Sequence, residues 1–252
     1  MTSTRRAVVL LGAVVVALLT AWYAGSRAPS LPPPPPGSVR LGPEAGEVVA
    51  DYLARLPAEL PPSGVVAPAL VQFAAEQDTD GALAATAGTV AVLAVFRVPI
   101  QRVQTALRFE GVEDAVAPPT ALGSARDRAR SSAVDDADRL TGRARVVAGV
   151  EAAELADPAC ACVLAVVVRG DRTALQALLT RPGVRAVHAA PPDAAPAELA
   201  LSPLLPAQTE RADPLPDDGP VPASGRVRPR AGDGHPDTEN DPTMGDDPVW
   251  TR

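Results

Sequence analysis

Residues 92–119, VLAVFRVPIQRVQTALRFEGVEDAVAPP, lie without a gap over residues 164–191, LAVVVRGDRTALQALLTRPGVRAVHAAP, at an offset of 72. Val95/Val167, Arg97/Arg169, Gln104/Gln176, Gly111/Gly183, Val112/Val184 and Pro119/Pro191 are among the coincidences. Each copy reads as strand–helix–strand. Residues 90–97 and 162–169 are apolar and rich in Val, the pattern of strands buried on both faces. In the first copy Pro99 suits the N1 position of a helix whose stripe is Ile100, Val103 and Leu107. In the second, Asp171 is an N-cap, Leu175, Leu178 and Leu179 form the stripe, and Pro182-Gly183 stops it. Short strands at 112–117 and 184–189 close the copies.

Working outward, a further strand precedes each copy. Residues 69–75 alternate imperfectly, whereas Val146, Ala148, Val150 and Ala152 alternate cleanly. Helices are expected before those strands. Residues 43–56 place Val48, Val49, Tyr52, Leu53 and Leu56 on one side, and 121–140 repeat Ala and Leu near a 3.6 period. The order across 112–189 is then β-α-β-β-α-β. The predicted fold is α+β: two repeated ferredoxin-like (βαββαβ-type) units, 38–117 and 118–192, behind a single N-terminal transmembrane helix. The strand at 112–117 can close the first unit, open the second, or join them.

The flanks place these units. Residues 7–25, from Ala7 to Gly25, carry no charge after Arg5 and Arg6, and as a helix they rise about 28 Å, near the thickness of a bilayer core. The positive-inside rule leaves residues 1–6 in the cytoplasm and the rest outside, anchored in the cytoplasmic membrane, with Trp22 and Tyr23 at the outer boundary. The competing reading is a cleaved signal peptide, against which the apolar run is long. Residues 26–37 include five consecutive prolines, Pro32 to Pro36, a polyproline II spacer of about 15 Å. Residues 193–252 are expected to be a disordered acidic, Pro-rich tail. From Glu210 to Arg252 it holds ten acidic residues against five arginines, so most of the net charge of −7 sits there. That charge excludes nucleic acid as a partner held by bulk electrostatics. The 252 residues contain no lysine, and the Ala, Val, Pro and Arg bias is that of a high-GC bacterial coding sequence.

Chemistry is sparse. Cys160-Ala161-Cys162 is the one constellation that offers any. An extended i,i+2 pair stands nearly 7 Å apart at Cα, at the limit of about 6.8 Å for a disulfide, so a bridge needs a kink such as Asp157-Pro158. Small buried residues, a local or intermolecular disulfide, and redox or metal function all remain open for the pair. Arg97 and Arg169 occupy matching positions in the repeat, and as weak ligand candidates they could line a pseudo-symmetric anionic pocket or simply mark where strands meet water. His188 aligns with the apolar Val116, which favours a structural role, and His235 falls in the tail. No nucleophile elbow, P-loop, dinucleotide fingerprint, zinc-protease motif or EF-hand loop occurs. No catalytic residue, metal site or cofactor is therefore assigned. The expected function is a non-catalytic binding or regulatory module of the cell envelope, meeting another envelope protein at the edge strand 184–190. The alternative is a thiol-redox or metal-handling protein built on Cys160 and Cys162.

Overall fold

The computed structural model describes residues 37–114 and 116–222. The expected membrane helix, all but Gly37 of the spacer, and the chain beyond 222 lie outside the described residues. Among those described, no helix is long and apolar enough to cross a membrane. The chain folds as α+β. Its N-terminal part runs β1 (Val39–Leu41), α1 (Val49–Arg55) with a 3-10 turn (Leu56–Glu59), β2 (Ala67–Gln77), α2 (Thr79–Thr86) and β3 (Val90–Phe96). Then come β4 (Arg108–Gly111), α3 (Pro118–Arg139), α4 (Gly142–Glu154), β5 (Val163–Gly170), α5 (Arg172–Leu178) and β6 (Val184–Ala189). A 3-10 turn (Pro196–Glu198) and β7 (Leu199–Leu201) follow.

Five strands form one antiparallel sheet in the order β4-β3-β5-β2-β6. Its register sorts the side chains. Leu70 lies opposite Val167 and His188, while Val71 lies opposite Val166 and Val187. The two-residue period therefore sends Ala69, Val71, Val166, Val168 and Val187 to one face. Leu70, Gln72, Ala165, Val167, Ala186 and His188 go to the other. The four helices after α1 bury residues against the first face: Ala82 of α2, Leu122 and Ala125 of α3, Val150 of α4, Leu175 of α5. Alanines at 121, 125, 129 and 133 keep the buried side of α3 slim enough for close approach.

The second face is covered by the chain's two ends. β1 and β7 pair in parallel, matching Leu41 with Leu201, and Leu41 lies over Leu70, Val95 and Val167. Tyr52 and Leu56 of the first helical stretch pack with Ala186 and Leu204. Gly42 shows how tightly the ends meet. Its φ is +125°, and a Cβ there would stand 1.8 Å from the Ser202 carbonyl oxygen, so only glycine fits.

Several expectations need correction. The strands assigned to two separate ferredoxin-like units share this single sheet. The described residues of 112–117 form no strand, and 146–152 lie within α4, so β5 and β6 would be left as two strands without a sheet. They pair instead with β2 and β3. Val146 to Ala152 alternate in hydropathy, yet the buried residues are Val147, Ala148, Val150 and Glu151, one helical stripe, and Val146 is exposed. The helix expected after Pro99 does not form. Val98, Ile100 and Val103 insert as three separate anchors, the Thr105 hydroxyl closes the loop onto the Val98 carbonyl (2.7 Å), and Arg102 takes a φ of 56°. Residues 193–222 are not loose: Leu204 is fully buried, and Gly219 donates its N–H to the Arg102 carbonyl at 2.7 Å. β1 joins none of the five strands of that sheet; it pairs with β7 in the two-stranded cover.

Candidate functional site

The Cys-Ala-Cys segment sits just before β5, at the end of the turn that leaves α4. Asp157 builds that turn twice over. Its carbonyl accepts the Cys160 N–H (3.1 Å) and its Oδ1 accepts the Ala159 N–H (2.9 Å), with Pro158 fixing the intervening φ. The bend brings the two Cα atoms to 5.2 Å, and a disulfide joins Cys160 to Cys162. Cys162 is buried, and its carbonyl accepts the Arg97 N–H at 2.8 Å; Cys160 is half-buried. Bonded to each other, the sulfurs are not thiolate ligands. Among the described residues no group of three His, Cys, Asp or Glu side chains converges on a metal position.

Arg97 and Arg169 do not share a pocket. β3 and β5 run antiparallel, with Phe96 opposite Val163 and Val90 opposite Arg169, so the two arginines lie about 20 Å apart at opposite ends of the strands. Arg97 is committed to Glu76 on β2, Nη1 to Oε1 at 2.6 Å, with both side chains only about a tenth exposed. Arg169 points into solvent.

The densest polar cluster lies on the second face and joins five separate stretches of chain. Leu204 donates its N–H to Gln72 Oε1 (2.7 Å), and Gln72 Nε2 donates to the Tyr52 hydroxyl (2.6 Å). That hydroxyl lies 3.2 Å from His188 Nδ1, which also receives the Gly42 N–H at 3.0 Å. His188 Nε2 lies 3.2 Å from Glu59 Oε2. A backbone N–H can only donate, so Nδ1 must be the acceptor and Nε2 must carry the proton in the neutral ring. Arg55 braces the outer side. It pairs with Glu47 (3.2 Å) and Glu59 (2.9 Å), and its guanidinium lies 4.9 Å from the centre of the Tyr52 ring.

Burial pushes the Tyr52 hydroxyl up to about 12, although the Gln72 bond and Arg55 work against the rise. Burial also holds His188 below the ordinary histidine value; Glu59 and Glu47 oppose that shift and Arg55 assists it. The assembly resembles a base with its orienting carboxylate, but both ring nitrogens are spent on protein groups and Tyr52 is fully buried. It ties the chain ends to the sheet and offers no group to a substrate. A shallow depression of about 230 Å³ along residues 207–215 contains none of these side chains.

Sequence reasoning found His188 and its structural character but missed Tyr52, Gln72 and Glu59. The available signal was Gln72, one amide in the apolar run Leu70-Val71-Gln72-Phe73. The expected contact edge at residues 184–190 is β6, close to the first 3-10 turn, and its Arg185 donates to the carbonyls of Leu205 and Gln208. The opposite edge is β4. There Phe109 is 45 % exposed and faces the same way as Val95 opposite it, while Val90 on the neighbouring strand is 55 % exposed. Val92 and Leu93 beside them are half-buried, so this quarter of the second face is apolar and only partly covered. Comparisons with protein-family models, with curated proteins and with solved structures return no match.

Proposed function

We propose that this chain is a non-catalytic binding or regulatory module of the bacterial cell envelope, carried outside the cytoplasmic membrane by the apolar segment 7–25. Its core is a single ferredoxin-like unit, β2-α2-β3 interleaved with β5-α5-β6, into which β4, α3 and α4 are inserted. The observation that carries the binding reading is the apolar margin of Phe109, Val90, Val92 and Leu93 beside the short edge strand β4. Edge strands with apolar neighbours are where a second polypeptide adds to a sheet. The disulfide supports an oxidising compartment. A photo-crosslinking residue placed at Phe109 in intact cells should trap an envelope protein, and one placed at exposed Arg130 on α3 should not. Equal trapping at both positions, or none at 109, removes this reading.

The half-buried Cys160 favours a second reading, thiol–disulfide exchange. A dithiol of another envelope protein would be oxidised to its disulfide while Cys160 and Cys162 become thiols, two electrons and two protons passing between them. Labelling of intact cells with a membrane-impermeant maleimide tests it. Labelling that rises when a cellular oxidoreductase is removed supports exchange, and labelling that appears only after chemical unfolding excludes it.

A further inference from the structure

We propose that the N-terminal segment 39–59 is an acid-released clasp on the sheet, closed through His188 and opened when that ring takes a second proton. Nδ1 is held between two groups that both present hydrogens, the Gly42 N–H at 3.0 Å and the Tyr52 hydroxyl at 3.2 Å. A proton on Nδ1 turns that acceptor into a third donor. The Tyr52 hydroxyl can rotate, but it already accepts from Gln72 Nε2 at 2.6 Å and would then need a new acceptor for its own hydrogen. The Gly42 N–H cannot rotate, because its backbone is wedged against Ser202.

Glu59 and Glu47 favour the protonated ring, Arg55 disfavours it, and β2 contributes only the neutral Gln72. Burial outweighs the two carboxylates and holds the ring's affinity for a proton below that of the unfolded chain. The sign follows. A depressed value means the clasp is fully stable above about pH 6.5 and loses stability as pH falls from there towards the folded value, where the unfolded chain binds more protons.

Opening has a defined extent. Gly42 follows β1, and β1 is matched to β7, so loss of the Nδ1 contact loosens Leu41, the β1–β7 pair and Tyr52 together. The surface uncovered is the apolar second face, Leu70, Val95 and Val167. The strands themselves are held by ladders and helices that His188 protonation does not touch. The clasp is also the first described stretch after the spacer, so its release would lengthen the connection between sheet and membrane.

Hydrogen exchange on the full chain in detergent micelles, corrected for intrinsic rates, tests this at pH 7.5 and 5.0. Protection of amides in 39–59 and 199–201 should fall at the lower pH while β5 amides keep theirs. His188→Gln keeps an acceptor and a donor without titrating, and its clasp protection should be the same at both pH values. Loss of protection that is absent, uniform over the sheet, or equal in H188Q overturns the proposal. Should H188Q fail to fold, the ring itself decides. His188 and His235 are the only histidines, so His235→Asn leaves a single ring signal for NMR titration. A midpoint below the ordinary histidine value, shared by the Gly42 amide, upholds the clasp; a midpoint at or above it sinks it.

Discussion

Arg108 carries a larger share of the fold than its place on a four-residue strand suggests. Its guanidinium, 7 % exposed, reaches Asp136 on α3 (Nη1 to Oδ2, 2.9 Å) and Glu151 on α4. Glu151 Oε1 also accepts the Ala106 N–H at 2.8 Å. One buried cation thus ties β4 to both inserted helices. Removing one partner strands the others away from water, so Glu151→Ala should lower stability by about 3–5 kcal/mol in urea unfolding, and Glu151→Gln by less. A loss under about 1 kcal/mol for the alanine variant would mean that water replaces the carboxylate. Asp136 adds a pH signature. Burial raises its affinity for a proton, but bonds to Arg108 and Arg139 outweigh that and hold its carboxyl below the ordinary value. Its contribution is therefore complete above about pH 4 and fades as pH falls through the folded value, so Asp136→Asn should flatten the acid limb of the stability curve. None of this was legible beforehand. Arg97 and Arg169 drew attention because they matched in the repeat, whereas Arg108 finds its partners through tertiary packing, with Glu151 concealed in a stretch that reads as a strand.

The helices were legible where an apolar stripe marks one side, and a chemical mark at the end did not suffice without one. Asp171 was recognised as a cap, and its carboxylate accepts the Ala174 N–H at 2.8 Å. Asp78 does the same for Gly81 at 2.7 Å, opening α2, which sequence reasoning passed over. Its Thr-Asp-Gly-Ala start lacks long apolar side chains, and its core contacts come from Ala82 and Ala85. The two caps stand 93 positions apart, and each helix is followed by a glycine in left-handed geometry, Gly88 and Gly183. The true internal correspondence is therefore β2-α2-β3 with β5-α5-β6, and the offset of 72 aligned a strand–helix–strand unit with a strand–loop–strand hairpin. Capping energetics make the point measurable. Asp78→Ala and Asp171→Ala should each cost about 1 kcal/mol, and the Asn variants much less, because Asn caps nearly as well. Equal losses for Ala and Asn at either site would show that charge, not capping, is what the aspartate supplies.

At the scale of the whole molecule, the sheet carries apolar side chains on both faces; four helices pack on the first, and only the short α1 packs on the second. The rest of the second face is completed by the chain's two ends, of which the C-terminal one reads in sequence as a proline-rich tail. Proline density made residues 193–222 read as disorder. The structure uses those prolines in an extended wrap whose Leu204 is fully buried and whose Gln72, Arg185 and Arg102 contacts reach back to three different elements. A chain ending at 192 would lose Leu204, Leu199, Leu201 and Ala212 from the cover, leave the Gln72 amide short of a donor and free β1 from its only strand partner. Burial of Leu204 alone is worth about 1.5–3 kcal/mol, and marginal stabilities of about 5–15 kcal/mol leave little room for several such losses. Truncation after 192 should therefore abolish a cooperative thermal transition or lower its midpoint by more than about 10 °C. Truncation after 222 keeps Leu204, Ala212 and the Gly219–Arg102 bond, and so should keep a cooperative transition. Calorimetry on the two truncations and the full chain, in the same detergent, separates the cases. If both truncations melted like the full chain, the wrap would be an ornament on a self-sufficient sheet, and the clasp would have lost the partner strand it closes against.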